Sequence, residues 1–464
     1  MSNLSLDIAA SALAAQQAGM DTVAQNLANA NTPGYVAERP ALTTNPPGDL
    51  LGVGTGVRVV GITQVPDQLA QTANQQAQGS LAQATALQQV LSQAQATFPE
   101  PNGQGISTQL ANFWSAWDAI AQNPGSQAPY TQVVNMAQGL ATSLQQASSQ
   151  LSQTASDTSA QLSTLVANDN NLLSQIAQIN TQIASVRGGG GSANSLIDQQ
   201  NELAGQLASD LGATATTQPD GTMSVTVGGS TLVQGATVDT LKVGSVPATG
   251  GGTATAVVNT ANNVALQVSS GAAAGYLNAV NSYLPGYQKS LDGVAQALAT
   301  TVDTQLAGGY TTTAGTTGDP LFVKSGTSGA GATTTGITAA TIAVNPSVVA
   351  NPQGTLGVSS VSGSANNDAS VAQSLAEQGT SPTGPDQAYT SLIQGLGTDV
   401  QGVNAQVSSQ TSLANAATQN LQEVAGVNTD QQMVAMLSYQ HAYQAAAQVV
   451  SVTNTMVQSL LQAV

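Results

Sequence analysis

The sequence predicts a mainly α-helical chain with an inserted β-rich domain, α+β overall, in which long coiled-coil helices from the two ends pair. Three observations predict it. Leu6, Leu13, Met20 and Leu27 recur every seventh residue near the N-terminus. Met436, Tyr443, Val450 and Val457 do the same near the C-terminus, with Leu461 in a companion position. Between about residues 213 and 268 the apolar period switches from helical to two.

The N-terminal seam, with Ala9, Val23 and Ala30 beside it, places one helix over residues 4–30. It ends in "NLANANTPGY", residues 26–35, because Pro33 pushes Thr32 out of the helical region and Gly34 permits the turn that follows. "GVGTGVRVVGIT" then alternates valine with glycine and reads as extended chain. Residues 69–98 and 106–122 read as helices, the second carrying Phe113, Trp114 and Trp117 as core. From Tyr130 to Val186 apolar residues return every three or four positions, the pattern of one or two long helices. "RGGGGS" breaks the pattern and "LIDQQNELAGQLASDLG" resumes it.

"ATATTQPDGTMSVTVGGSTLVQG" is a hairpin meander around Pro219-Asp220-Gly221, and "TATAVVNTANNVALQV" reads as a second hairpin. Helix returns over 272–306, and "TIAVNPSVVANP" is a last strand signal. From Asn367 onward the chain is helical, with a break at 379–385. The final helix opens at Thr429 with Gln432 three residues on, a capping-box spacing. The resulting division is 1–38 terminal helix and turn, 39–211 helical, 212–350 β-rich with a helix, 351–428 helical, and 429–464 terminal helix.

Composition narrows the function. Only 6% of the 464 residues are charged, and six cations face 23 acidic residues for a formal charge of −17. That field repels phosphate backbones and anionic lipid, so neither nucleic acid nor a membrane is an expected partner. Residues 1–38 and 325–464 contain no lysine or arginine at all. The absence of cysteine removes thiolate nucleophiles and cysteine-based zinc sites. No run reaches the roughly 18 apolar residues of a membrane span, and the N-terminus lacks the basic region of a cleaved signal peptide.

Candidate chemistry is sparse, so no catalytic residue, cofactor or metal is expected. His441 is the lone histidine and sits mid-helix. "GVGTGV" lacks the Lys-Ser/Thr ending of a phosphate loop, and "NDNN" at 168–171 lacks the glycine and distal glutamate of a calcium loop. The two terminal seams carry more content. Both are narrow and alanine-rich, so a private two-helix pair buries little apolar area against its ordering cost. Leu6, Leu13, Met20, Leu27, Met436, Tyr443, Val450, Val457 and Leu461 are therefore expected to form an assembly interface with other copies of the chain.

"NLANANTPGY" resembles the N-terminal signature of bacterial flagellar axial proteins of rod, hook and hook–filament junction, carried here by Asn26, Asn29, Asn31, Thr32, Pro33, Gly34 and Tyr35. "VAGVNTDQQMVAMLSYQHAYQAAAQVVSVTNTMVQSLL" is similar to that family's terminal helix, with Gln431 and Gln432 where relatives commonly carry acidic residues. The long middle helices and the "DGTMSVTVGGSTLVQG" hairpin look like the junction members. The resemblance implies a structural, non-enzymatic adaptor whose terminal helices pack into a tube with residues 212–350 outward. It implies as partners the hook protein, the next junction protein toward the filament, and a cytosolic export chaperone at the C-terminal helix. It also implies an extracellular place in the flagellum, reached by type III export without a cleaved signal. A hook or distal-rod subunit is the alternative within the family; an extracellular adhesin is the alternative outside it.

Overall fold

The computed structural model describes residues 2–32, 34–46, 54–64, 67–100, 105–248 and 251–462. Helix α1 (Ser2–Ala28) leads through a turn to an antiparallel ribbon of β1 (Glu38–Thr44) and β2 (Val57–Gln64). Gly56 has φ of +104°, and a Cβ there would strike Ser11 and Ile8 of α1, so glycine lets the ribbon lie against the helix.

The helical body begins with α2 (Gln68–Ala96), capped by Asp67, whose carboxylate accepts the Ala70 N–H at 2.9 Å. Helices α3 (Ile106–Gln122), α4 (Gln127–Gly188) and α5 (Asn194–Leu211) follow. At about 1.5 Å per residue α4 is a spine of roughly 90 Å. Its lower half, from Tyr130 to Leu151, packs into a first core with Phe113, Trp117 and Phe322; its upper half, from Leu162 to Ile183, packs into a second. Between them Thr154 and Thr158 are buried with their hydroxyls bonded to the helix's own carbonyls.

The second core is closed by the antiparallel meander β3 (Thr214–Thr217), β4 (Met223–Val227), β5 (Ser230–Gln234) and β6 (Thr237–Val238). Strands β7 (Leu241–Pro247) and β8 (Thr253–Asn259) form a separate hairpin. This corrects the second hairpin read from the sequence: "TATAVVN" pairs backward with "LKVGSVP", and only a single bridge, Val258 to Ala265, joins it to the segment that follows. Ser245 stands where the alternation of Leu241 and Val243 calls for the next apolar residue, Val246 is out of phase with both, and Pro247 follows, so no strand pattern marks β7.

The helix expected over 272–306 is α6 (Gly271–Asn278), a π-helical turn (Ala279–Tyr283) and α7 (Leu284–Gly308). Pro285 cannot donate to the carbonyl four residues back, and the ladder widens just before it. Two short strands, β9 (Phe322–Lys324) and β10 (Ile342–Val344), pair antiparallel. The small helices α8 (Pro346–Ala350), α9 (Pro352–Thr355) and α10 (Ser370–Ala376) and the long α11 (Pro385–Ala425) and α12 (Thr429–Gln462) complete the chain. Residues 212–350 are divided between the cores: the meander and its hairpin belong to the second, whereas α7, Leu321, Phe322, Ile342 and Val348 belong to the first.

In a chain with so few charges, amides join the elements. Helix α11 runs antiparallel to α2 with Gln78 donating to Thr418 and Gln88 to Asn404. Four helical asparagines each bond both the N–H and the C=O of a single strand residue, imitating a neighbouring strand: Asn26 to Glu38, Asn170 to Leu241, Asn180 to Met223, and Asn281 to Thr255.

Candidate assembly site at the paired termini

The two ends pair antiparallel, since Asn26 near the end of α1 meets Gln432 in the first turn of α12 while Gly19 lies under the Tyr439 ring. The row of α12 that is buried or half-buried runs Met436, Tyr439, Ala442, Ala446, Val450, Thr453, Val457. The buried row of α1 is built from small residues, Ala9, Ala15, Gly19, Val23 and Asn26. A Cβ at position 19 would sit 2.6 Å from the Tyr439 ring. Gly19→Val is accordingly expected to weaken the pairing by about 1–3 kcal/mol through overpacking. Faster amide exchange over residues 10–28, partly reversed by adding Tyr439→Ala, would show it.

Of the seam residues read from the sequence, Leu13, Met20, Met436, Val450 and Val457 are half-buried. Leu6 (42% exposed), Leu27, Tyr443 and Leu461 (74% exposed) point to solvent. A row spaced by seven winds about 20° per heptad around a straight helix, so it cannot stay on one contact line. The capping box is not what opens α12: Asn428 caps it, its side chain accepting the Gln431 N–H at 3.1 Å, and Gln432 is committed to Asn26 instead.

Asn26 is fully buried, and all four hydrogen-bonding positions of its amide are filled. Its Nδ2 donates to the Glu38 carbonyl at 2.8 Å and to Gln432 Oε1 at 3.1 Å. Its Oδ1 accepts the Tyr35 hydroxyl and the Glu38 N–H, both at 2.9 Å. One side chain thus joins α1, the turn, the ribbon and α12. The turn itself is held locally: Asn29 donates to the Gln25 carbonyl, Thr32 donates to Asn29, and Gly34 has φ of +78°. Asn31 is exposed, and Pro33 lies outside the described residues. A backbone bond from the Ala37 N–H to the Ala425 carbonyl at 3.0 Å ties the same place to the end of α11.

Helix α5 docks on the other side. Asn194 donates to Glu38 Oε1 and to the Ile62 carbonyl, each at 2.9 Å, and Gln64 donates to Asp198 Oδ1 at 2.6 Å. Burial and the neighbouring Glu38 push the Asp198 carboxyl up to about 6, against the lowering effect of bonds from Gln64 and the Val36 N–H. Burial, with Glu38 and Asp198 nearby, pushes the Tyr35 hydroxyl up to about 12. Because the folded value for Asp198 lies above the unfolded one, its contribution is fully present below about pH 4 and is lost as the pH rises to about 6. After correction for intrinsic exchange rates, ribbon amides 57–64 are expected to be better protected at pH 5 than at pH 7, and Asp198→Asn to remove most of that difference.

Among the described residues, the side of α12 turned away from α1 is exposed. Val434, Leu437, Val449, Val452 (56% exposed) and Met456 (60% exposed) form a second apolar row there. Beside it Ala445, Gln448, Val449, Val452 and Thr453 line an open depression of about 460 Å³. His441 is an exposed residue of the same helix. Among the described residues no group of three or more His, Cys, Asp or Glu is placed to hold a metal, and no helix is long and apolar enough to cross a membrane. Gln432, Tyr439, Glu38 and Asp198 were not legible as site residues, because each matters through a partner far away in the chain.

Comparison with known proteins places matches at both ends and in the body. Residues 6–35 match the flagella basal body rod protein family, and 418–463 match the flagellar basal body rod FlgEFG protein C-terminal family. Flagellar hook-associated protein 1 of Bacillus subtilis is 26% identical over 99% of this chain and 97% of its own length. Its namesake from Salmonella typhimurium is 27% identical over 67% of this chain and 57% of its own. The flagellar hook junction protein FlgK from Burkholderia pseudomallei, a solved structure, aligns with a TM-score of 0.48 and 26% identity over 55% of this chain and 46% of that one. Residues 91–322, half of the chain, match the helical domain of flagellar hook-associated protein FlgK; with both ends matching flagellar axial families as well, the chain belongs to the FlgK family of flagellar hook-associated proteins.

Proposed function

We propose that the protein is a structural adaptor of the bacterial flagellum that joins hook to filament by packing its paired terminal helices against those of its neighbours, without catalysis. The observation that carries this reading is the unpartnered apolar row of α12 standing beside the clasped α1–α12 pair. Exposed Leu6, Leu27, Tyr443 and Leu461 extend the apolar surface available to other copies, to the hook protein and to the next junction protein toward the filament. A single helix with Asp430 as its one acidic residue, no lysine or arginine, and apolar residues on two sides also suits a cytosolic chaperone that covers it before type III export. The protein would then act outside the cell, with its signal uncleaved. In such a tube the part of 212–350 that faces outward is the second-core meander and hairpin.

The test is deletion of the gene, with negative-stain electron microscopy of the cells and an assay for flagellin in the medium. Bare hooks with flagellin lost to the medium are expected. Missing hooks would overturn the junction reading in favour of a hook or distal-rod subunit, and normal flagella would overturn both.

A further inference from the structure

We infer, on the basis of the adaptor reading proposed above, that Arg39 and Arg58 on one face of the β1–β2 ribbon pair with Asp21 and Asp7 on α1 of a second copy of this chain. Before Arg187 these two arginines are the only cations in the sequence. Side chains alternate along a strand, so Arg39, Ala41 and Thr43 share a face, and the register sets Thr63, Gly61 and Arg58 opposite them in turn. Both arginines therefore stand on the same face, about 13 Å apart along the ribbon, with small or hydroxyl residues between them. Both are exposed, and among the described residues neither takes part in an ion pair. Glu38, on the ribbon's other face, accepts from Asn194 of α5 instead.

The complementary charges lie on α1. Asp7, Ala10, Ala14, Gln17, Asp21 and Ala24 are all exposed and recur every three or four residues, which makes them one outward row. Asp7 and Asp21 are its only charges, two heptads or about 21 Å apart. The alanines between them let a flat, small-residue ribbon face approach closely. Among the described residues neither aspartate has an ionic partner within its own chain.

The two sets of charges occupy the same stretch of the molecule. Within the chain the ribbon lies along α1, tied at one end by the Val57 N–H donating to Ser11 Oγ at 3.3 Å and at the other by Glu38 on Asn26. Arg58 and Arg39 are the next residues inward from these ties, so the acids sit roughly 5–10 Å nearer the N-terminus of α1 than the cations do. A neighbour shifted along the helix axis by that amount brings Arg58 to Asp7 and Arg39 to Asp21, the long arginine stems taking up the difference in spacing. Glu423 and Asp430, exposed at the Asn26 end, compete for Arg39 but leave Arg58 at the far end unmatched. Cations on one element and acids on another make the contact head to tail, so it repeats from copy to copy. Apolar rows that recur every seventh residue can slip by a heptad, and opposite charges at fixed places select one alignment.

Cross-linking in isolated flagella tests this, because the chain has no cysteine of its own. Thr63→Cys, opposite Arg39, and Ala24→Cys, one turn from Asp21, place two exposed thiols beside an expected ion pair and keep all four charges. With a short bismaleimide the double variant is expected to give a ladder of dimers and larger multimers on a denaturing gel, and each single variant, or the dilute purified double variant, none. A charge swap checks the chemistry: Arg39→Glu with Arg58→Glu should lower the chain recovered in flagella at least about fivefold, and adding Asp7→Arg with Asp21→Arg should restore it to within about twofold. Chain present in flagella without the ladder, no rescue, or rescue by Glu423→Arg with Asp430→Arg instead, would overturn the pairing and leave the adaptor reading intact. Wild-type chain absent from flagella would overturn that reading and the pairing with it.

Discussion

Asn26→Asp is expected to release α12 from α1 while leaving the two cores folded. The change is isosteric and preserves both acceptor positions toward Tyr35 and the Glu38 N–H. It removes both donors, so the Glu38 carbonyl and Gln432 Oε1 lose their partner and instead face a buried carboxylate. Leaving a buried acceptor unsatisfied costs about 1–3 kcal/mol, and the charge adds to that unless it takes up a proton. A total loss of about 2–4 kcal/mol exceeds what a narrow, alanine-rich two-helix contact can absorb. Amides of α1 and α12 should lose protection together, whereas Trp114 and Trp117, both buried in the first core, should keep their native fluorescence. Loss of that fluorescence in parallel would mean that the ends and the body are one cooperative unit.

Val452→Asp is expected to have the second large effect, and at a different level. The side chain is exposed in the free chain, so subunit stability should change by no more than about 0.5 kcal/mol. In a packed tube the same carboxylate would be buried at every copy without a cation, because neither terminal segment carries one. Incorporation into flagella and swimming should be abolished, with the protein still exported. The half-buried Leu13 and Val450 are less selective targets. Aspartate at either should disturb the pairing within the chain as well as the packing between chains.

The comparison of sequence with structure divides along residue size and range. The helices rich in leucine and valine were legible because their periodicity is a property of neighbouring residues; α3 and α4 lie over the residues where the pattern put them. That the two terminal helices pair was legible from their seams, but the residues of the contact between α1 and α12 were not, because its closest approach uses Gly19, Ala15 and Ala9, which leave no hydrophobic signal, and leaves Leu6 and Leu27 exposed. Tyr443 matched a heptad while Tyr439, one turn earlier, meets the glycine. Asn26 looked like part of an asparagine-rich helix stop. It lies in the last turns of α1, inside the helix read over 4–30, and what was not legible is its partner Gln432, 406 residues away, a spacing that no local pattern encodes. Hairpin β3–β4 was legible from its Pro-Asp-Gly turn, whose Gly221 has φ of +85°; β7 was not, because Ser245 and Val246 shift the phase of its alternation and Pro247 follows.

Packing of the terminal helices into a tube would leave the outer face of α12 open in the free subunit and cover it in the flagellum. The chain has no cysteine, so a single Val452→Cys substitution gives one reporter thiol, and Ala261→Cys on the exposed β region gives a control. Maleimide labelling rates should be compared between purified subunits and isolated intact flagella. Cys at position 452 is expected to react readily in the subunit and at least about 100-fold more slowly in flagella, because a buried thiol reacts only after local opening, while position 261 reacts alike in both. Equal labelling of position 452 in subunit and flagellum would contradict it.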